Sequence, residues 1–220
     1  MEDASGKRPV VAHPLALHRA AANGWLDQLR SELAAGSVHT MDEAGEQALH
    51  HAVRHGHLAC VELLVARGAD VDAPSRGPTG QLNTPLHTAV KASASRPLAD
   101  FLGIVRALLD AGADPGRANR AALSPFHVAV TAGAVEICKA MLAASPELHA
   151  TLLREPDAGG AAPVHMAAAR GDGLMLQLLL AQGADPKARN ARGQTPADVA
   201  TASGHSQVGA RGGAILLRGV

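Results

Sequence analysis

The stretch Thr84-Pro85-Leu86-His87-Thr88-Ala89 contains a short phrase, Leu-His-x-Ala, that recurs along the chain. The histidines of successive copies, with Asp198 in the last one, lie 32, 37, 40, 38 and 33 residues apart. A 33-residue period with insertions of 4, 7 and 5 residues and one deletion accounts for these spacings. The other copies are Leu17–Ala20, Leu49–Ala52, Phe126–Ala129, Val164–Ala167 and Ala197–Ala200.

A second phrase follows the first at a similar distance. Leu108-Leu109-x-x-Gly112-Ala113-Asp114 has counterparts at residues 63–70 and 179–185, and weaker ones at residues 33–36 and 141–146. Two phrases in a fixed order at one period are very improbable by chance. A period of 20 to 50 residues indicates a repeat array, so the sequence predicts stacked copies of one small unit.

The physical chemistry of each unit predicts a helical hairpin. Thr84-Pro85 combines an N-cap residue with a first-turn proline, whose missing N–H is harmless there. A second helix near 59–66 places Val61, Leu64 and Val65 on one stripe, and Gly68 follows as a C-terminal glycine. One hairpin cannot bury this stripe by itself, whereas stacked copies form a continuous core.

Both phrases resemble the ankyrin repeat, which opens with Thr-Pro-Leu-His-x-Ala and closes with Leu-Leu-x-x-Gly-Ala-Asp. The resemblance covers roughly residues 14–207. It implies an all-α solenoid of about six repeats, each a β-turn finger followed by two antiparallel helices, with the last repeat incomplete. We expect an N-terminal tail at 1–13, an array at 14–208 and an irregular tail at 209–220. The repeats are predicted near 14–41, 42–74, 83–118, 119–149, 157–189 and 190–208.

Three insertions depart from the period. Residues 73–82 are predicted to form an extended finger, and residues 93–100, which include Pro97, an edge loop. Residues 148–154 are predicted to add a helical turn. Glycines after His205 argue against a second helix in the sixth repeat.

Composition excludes several classes of protein. The formal net charge is zero, which argues against non-specific binding to nucleic acid or to anionic membranes. The two cysteines indicate a reducing compartment, and we find neither a signal peptide nor an apolar run of membrane-spanning length. We therefore predict a monomeric protein in the cytoplasm, with the nucleus as the alternative.

The histidines raise the question of a metal site. His51 and His55 share a helix face at a spacing that suits zinc, but the sequence offers no third ligand at convincing spacing. The resemblance implies that His18, His87, His127 and His165 hydrogen-bond the helix starts. No nucleophile or phosphate-loop motif is present, so we predict no enzyme, no cofactor and no metal. Cys60, Cys138 and Trp25 are predicted to be buried.

The resemblance places a partner protein on the concave face, formed by the fingers and the outward sides of the first helices. Arginine and lysine predominate there, which predicts an acidic or phosphorylated partner segment, although exposed cations serve solubility equally well. The candidate contact residues are Glu43, Glu46, Arg54, His55, Lys91, Arg120, Leu123, Arg170, Arg192 and Gln194.

These expectations predict a scaffold or adaptor for protein–protein interaction. The alternative is a substrate receptor of a ubiquitin ligase, because the first two repeats resemble those of ankyrin proteins that end in a SOCS box. Residues 209–220 do not resemble such a box.

Overall fold

The chain forms two parallel rows of α-helices. The computed structural model describes residues 15–76, 80–96 and 98–205. The first helices of successive repeats pack side by side, α1 on α3, α3 on α5, and so on to α12, and the second helices form the other row. The first helices are α1 (Ala16–Asn23), α3 (Ala48–His55), α5 (Pro85–Ser93), α7 (Pro125–Ala132), α10 (Pro163–Arg170) and α12 (Pro196–Ala202). The second helices are α2 (Leu26–Ala35), α4 (Leu58–Ala66), α6 (Leu98–Asp110), α8 (Val135–Ala144) and α11 (Gly173–Ala181), and α9 (His149–Arg154) is additional.

The predicted helix starts are confirmed. The side-chain oxygens of Thr84, Ser124 and Thr195 each accept a hydrogen bond from the backbone N–H three residues later. In each case a proline occupies the first helical position. Because the cap supplies a partner for a first-turn N–H group, it fixes where each hairpin begins.

Small, closely packed side chains fill the space between the two rows. The core is continuous from Leu17 to Ala200 and consists mainly of alanine, leucine and valine, with Phe101 and Phe126 as its aromatic members. Cys60 and Cys138 are buried in it, as predicted, and burial raises the pKa of both thiols. Raised thiol pKa values disfavour the reactive thiolate, so these cysteines contribute packing.

The turn between the two helices of a repeat depends on glycine where neighbouring repeats approach closely. Gly24 has φ +72°, and a Cβ there would lie 2.7 Å from His57 Nδ1 of the next repeat. His57 Nε2 in turn lies 3.0 Å from the backbone oxygen of Ala22. The ring of His57 therefore packs directly on the Gly24 turn.

We expect Gly24→Ala to destabilise the protein more than Gly68→Ala does. Gly68 also has a positive φ, +81°, but a Cβ there would meet nothing within 4 Å. Both variants incur about 1–2 kcal/mol of left-handed strain, and only the first also displaces His57. Urea denaturation of the two variants checks this, and equal losses would contradict the packing of His57 on Gly24.

The insertions follow the prediction in part. Residues 148–154 do add a helix, α9, which packs against α10. The edge loop predicted over 93–100 is shorter than expected, because α6 already begins at Leu98. Proline is disfavoured inside a helix but tolerated at its start, so a helix immediately after Pro97 is compatible with it. Residues 77–79 of the extended finger, Pro97 and both predicted tails lie outside the described residues. So does the region after His205, where no second helix was predicted.

Candidate functional site

In each of repeats one to five, a histidine of the first helix lies within hydrogen-bond distance of a backbone oxygen further along the chain. In His87, Nδ1 accepts a hydrogen bond from the backbone N–H of Thr84 at 3.1 Å, and Nε2 lies 2.8 Å from the oxygen of Leu123 in the next finger. Burial lowers the pKa of His87 to about 4, so the ring is neutral at pH 7. We call these residues the framework histidines: His18, His50, His87, His127 and His165.

The bonds to the next finger are a feature that the sequence did not reveal. The family resemblance implied bonds within each helix start, and these are present at His87 and His127 and also at His50. At His165 the prediction is wrong, because the buried Nδ1 has no hydrogen-bond partner among the described residues. The contact from Nε2 runs to a backbone oxygen between 22 and 36 residues further on. The framework histidines therefore fix the position of each finger relative to the preceding helix.

In repeats two and three a finger and a first helix meet at matched positions. In repeat two, Arg54 of α3 donates hydrogen bonds to both carboxylate oxygens of Glu46 in the finger. In repeat three, Lys91 Nζ at the matching helix position lies 3.2 Å from Asn83 Oδ1 at the matching finger position. These two contacts join residues of a finger and a first helix in repeats two and three. We call the surface that the fingers and the first helices are predicted to form together the finger face.

The Arg54–Glu46 pair changes the predicted charge of this surface. The hydrogen bonds that Arg54 donates to Glu46 raise the pKa of Arg54. Burial would raise the pKa of Glu46, but the bonds and the charge of Arg54 outweigh it and lower that pKa. Because the two charges compensate each other, Arg54 contributes little to a basic stripe.

Other candidate cations are free of such pairing. Lys91, Arg120, Arg170 and Arg192 are exposed, and no carboxylate lies within ion-pair distance of them in the described part of the chain. Glu43 is also exposed, whereas His55, Leu123 and Gln194 are partly buried. Among the candidate residues, the cations without an ion-pair partner in the described part of the chain therefore belong to repeats three to six.

Two adjacent fingers carry part of this charge together. Asn119 Nδ2 donates to Asn83 Oδ1 at 2.9 Å, and the backbone N–H of Arg120 donates to the oxygen of Gln81 at 2.9 Å. Because Lys91 also contacts Asn83, the Lys91 ammonium and the Arg120 finger belong to one connected patch.

The structure corrects the predicted position of Trp25 and shows where the two histidines considered as a zinc pair lie. Trp25, predicted to be buried, is 47% exposed, and it lies in the turn immediately before the first residue of α2. His51 and His55 do not face a common ligand position. His51 contacts Asp42, whereas the ring of His55 stacks on that of His57 with centroids 6.3 Å apart.

The acidic neighbours of His51 were missed in the sequence. His51 Nε2 lies 2.7 Å from Asp42 Oδ2 and 3.7 Å from Glu46 Oε2. Burial would raise the pKa of Asp42, but hydrogen bonds from the Glu46 N–H and from His51 outweigh it and lower that pKa. The available signal was the fixed offset of Asp42, which lies eight residues before a framework histidine.

Comparison with known proteins agrees with this architecture. The family model for ankyrin repeats in three copies matches residues 17–119 and 98–190. Human ankyrin repeat and SOCS box protein 18 is 38% identical over 144 residues, which are 66% of this chain and 28% of that protein. The Escherichia coli K12 protein YahD, a putative ankyrin repeat protein, is 28% identical over 195 residues, which are 86% of this chain and 90% of that one.

A solved structure has the same fold over almost the whole chain. The ankyrin repeat domain from Acinetobacter baumannii superposes with a TM-score of 0.74 at 26% identity, covering 91% of this chain and 99% of that one. Several curated relatives are much longer proteins, and the chain spans 8% to 28% of their length.

Ankyrin repeats mediate protein–protein binding and are generally non-catalytic. None of the helices in the described residues is long and apolar enough to span a membrane. The repeated caps, the framework histidines and the match of the family model over residues 17–190 show that the chain belongs to the ankyrin-repeat family.

Proposed function

We propose that this protein is a scaffold or adaptor whose finger face binds an acidic or phosphorylated segment of a partner protein. The observation that supports this most directly is the set of four exposed cations, Lys91, Arg120, Arg170 and Arg192, with no carboxylate in ion-pair range among the described residues. Carboxylates and phosphates are the groups that such cations attract. A monomeric protein in the cytoplasm or the nucleus is part of the same proposal.

The size of the cation set limits the affinity. Exposed charges raise the association rate and the specificity of binding more than the affinity. Aromatic residues, the most frequent hot spots of interfaces, make up 1% of the sequence. We therefore propose a salt-sensitive complex with an extended partner segment.

We expect the double variant Lys91→Glu with Arg120→Glu to lose binding of the partner. The experiment captures partners of the intact chain from cell lysate and then measures the affinity of the identified partner, with and without phosphatase treatment. Reversing two cations in one patch replaces attraction by repulsion, so we expect the affinity to fall by about tenfold or more.

The matched control is Arg67→Glu with Arg106→Glu. Both arginines are exposed, and they lie at the end of α4 and within α6, in the row of second helices. The control makes the same change in net charge away from the finger face, and we expect it to bind like the unaltered chain. Equal affinity in the finger-face variant and in this control would contradict the proposal.

A second candidate is substrate recognition for a ubiquitin ligase. The 38% identity to human ankyrin repeat and SOCS box protein 18 favours it, although the match spans 28% of that protein. Ubiquitin-ligase subunits should then co-purify with the chain, and the captured partner should be ubiquitinated in a manner that depends on it. Capture of a partner whose ubiquitination does not change on removal of the chain would argue for the scaffold instead.

A further inference from the structure

Two carboxylates and an imidazole converge at the finger of repeat two. The ligand atoms of Asp42, Glu46 and His51 all lie within 4.8 Å of one another, and among the described residues this is the one group of three such side chains. The side chains are 11%, 13% and 19% exposed, respectively. We propose that Asp42, Glu46 and His51 form a binding site for a divalent cation of the zinc class.

The ankyrin scaffold does not require a charge at position 42. In repeats two, four, five and six, the residue eight positions before the framework position has a side-chain oxygen that accepts backbone N–H groups within the finger. Asparagine does this as well as aspartate, so the turn needs an oxygen and not a charge. Asp42 uses Oδ1 for the N–H of Glu46 at 2.9 Å, which leaves Oδ2 to face His51. The corresponding residues are Asn119, Asp157 and Asn190.

The other two ligands are also specific to repeat two. The residue after a framework histidine is His51 here and Thr88, Val128 or Met166 in later repeats. The residue four positions before the framework histidine is Glu46 in repeat two and Asn83, Leu123 or Ala161 in the later repeats. Other repeats have different residues at these positions and still fold. The fold therefore does not require Asp, Glu and His to occur together in repeat two.

The separations suit a small cation. A tetrahedral zinc ion with bonds of about 2.0–2.2 Å holds its ligand atoms about 3.3 Å apart. The distances from His51 Nε2, 2.7 Å to Asp42 and 3.7 Å to Glu46, lie on either side of this value. Side-chain shifts of a few tenths of an ångström would make these two distances equal. Three protein ligands leave a fourth position for water or for an atom of a partner.

Arg54 is compatible with the ion. It donates to both oxygens of Glu46, and each carboxylate oxygen has a second lone pair that can face a metal. Arg54 then orients the ligand from outside, as neighbouring groups do in many metal sites. Two carboxylates and one guanidinium leave one negative charge, which favours a divalent cation at His51.

The experiment uses the intact, untagged chain, stripped of metal by a chelator. Titration with Zn²⁺ in a calorimeter should give saturable binding of one equivalent, and Co²⁺ should give the visible absorption of a four-coordinate ion. His51→Gln and Asp42→Asn should each weaken binding by about tenfold or more. Asp42→Asn keeps the side-chain oxygen that accepts the finger N–H, as Asn119 and Asn190 do. This variant therefore tests the proposal even if His51→Gln fails to fold.

His55→Gln is the matched control, because it makes the same substitution one helical turn away, outside the three-ligand group. It should bind zinc as the unaltered chain does. Absence of stoichiometric binding by the unaltered chain would overturn the proposal, and would identify the cluster as a His51–Asp42 hydrogen bond beside an Arg54–Glu46 ion pair. Unchanged affinity in folded Asp42→Asn would overturn it as well. Neither result depends on the proposed partner.

Discussion

Leu64→Ala should lower the free energy of unfolding by about 2–5 kcal/mol. Leu64 of α4 is fully buried between the two rows of helices. Its truncation removes apolar contacts and leaves a cavity that packed helices close only in part. Leu109 of α6, which is 7% exposed, should show the same direction of change. Urea denaturation followed by circular dichroism measures both.

Leu174→Ala is the control for this prediction. Leu174 lies on α11 and is 71% exposed, so the same substitution removes little buried surface. Its unfolding free energy should change by no more than about 0.5 kcal/mol. If Leu64→Ala and Leu174→Ala had equal stability, the shared core between repeats would be wrongly placed.

Acidification should destabilise the protein through His87. The pKa of His87 is about 4 in the folded protein, because the ring is buried, and histidine in an unfolded chain has a pKa of about 6.5. Below pH 6.5 the unfolded state therefore binds more protons than the folded state, and stability falls as the pH falls toward 4. This one residue should cost about 2 kcal/mol between pH 7 and pH 5.

His87→Gln isolates that contribution. Glutamine three residues after a threonine cap can reach back to the cap N–H as histidine does, but it does not titrate. Unfolding free energies measured from pH 7 to pH 5 should fall less in the variant, because the carboxylates contribute equally to both proteins. The same pH dependence in both would show that His87 is not buried as a neutral ring.

Local residue patterns were sufficient for the repeat unit. Threonine and serine caps, first-turn prolines and the regular Leu-Leu phrases act within a few residues of each other, so the positions of most helices could be predicted. The boundary at Leu98 could not, because proline is compatible with either a loop or a helix start. The exposure of Trp25 could not be predicted either, because burial depends on which segments pack over a side chain, and no local pattern encodes that.

The candidate site was predictable in outline only. The fixed period placed Arg54 and Lys91 at equivalent positions of the first helices and Glu46 in a finger, but it did not reveal the pairing of Arg54 with Glu46. That pairing depends on the direction of the two side chains. Because it neutralises Arg54, the candidate cations without a carboxylate partner in the described residues lie in the later repeats.

The sequence by itself determined the repeat, the helix caps and the family, because these depend on short spacings that recur. Only the tertiary structure decided which charges compensate each other and which ligands meet. Asp42 and His51 are nine positions apart, and the finger folds back on α3 to bring their side chains within 2.7 Å. A contact of this kind follows from the path of the chain through space, which the identities of the two residues do not encode.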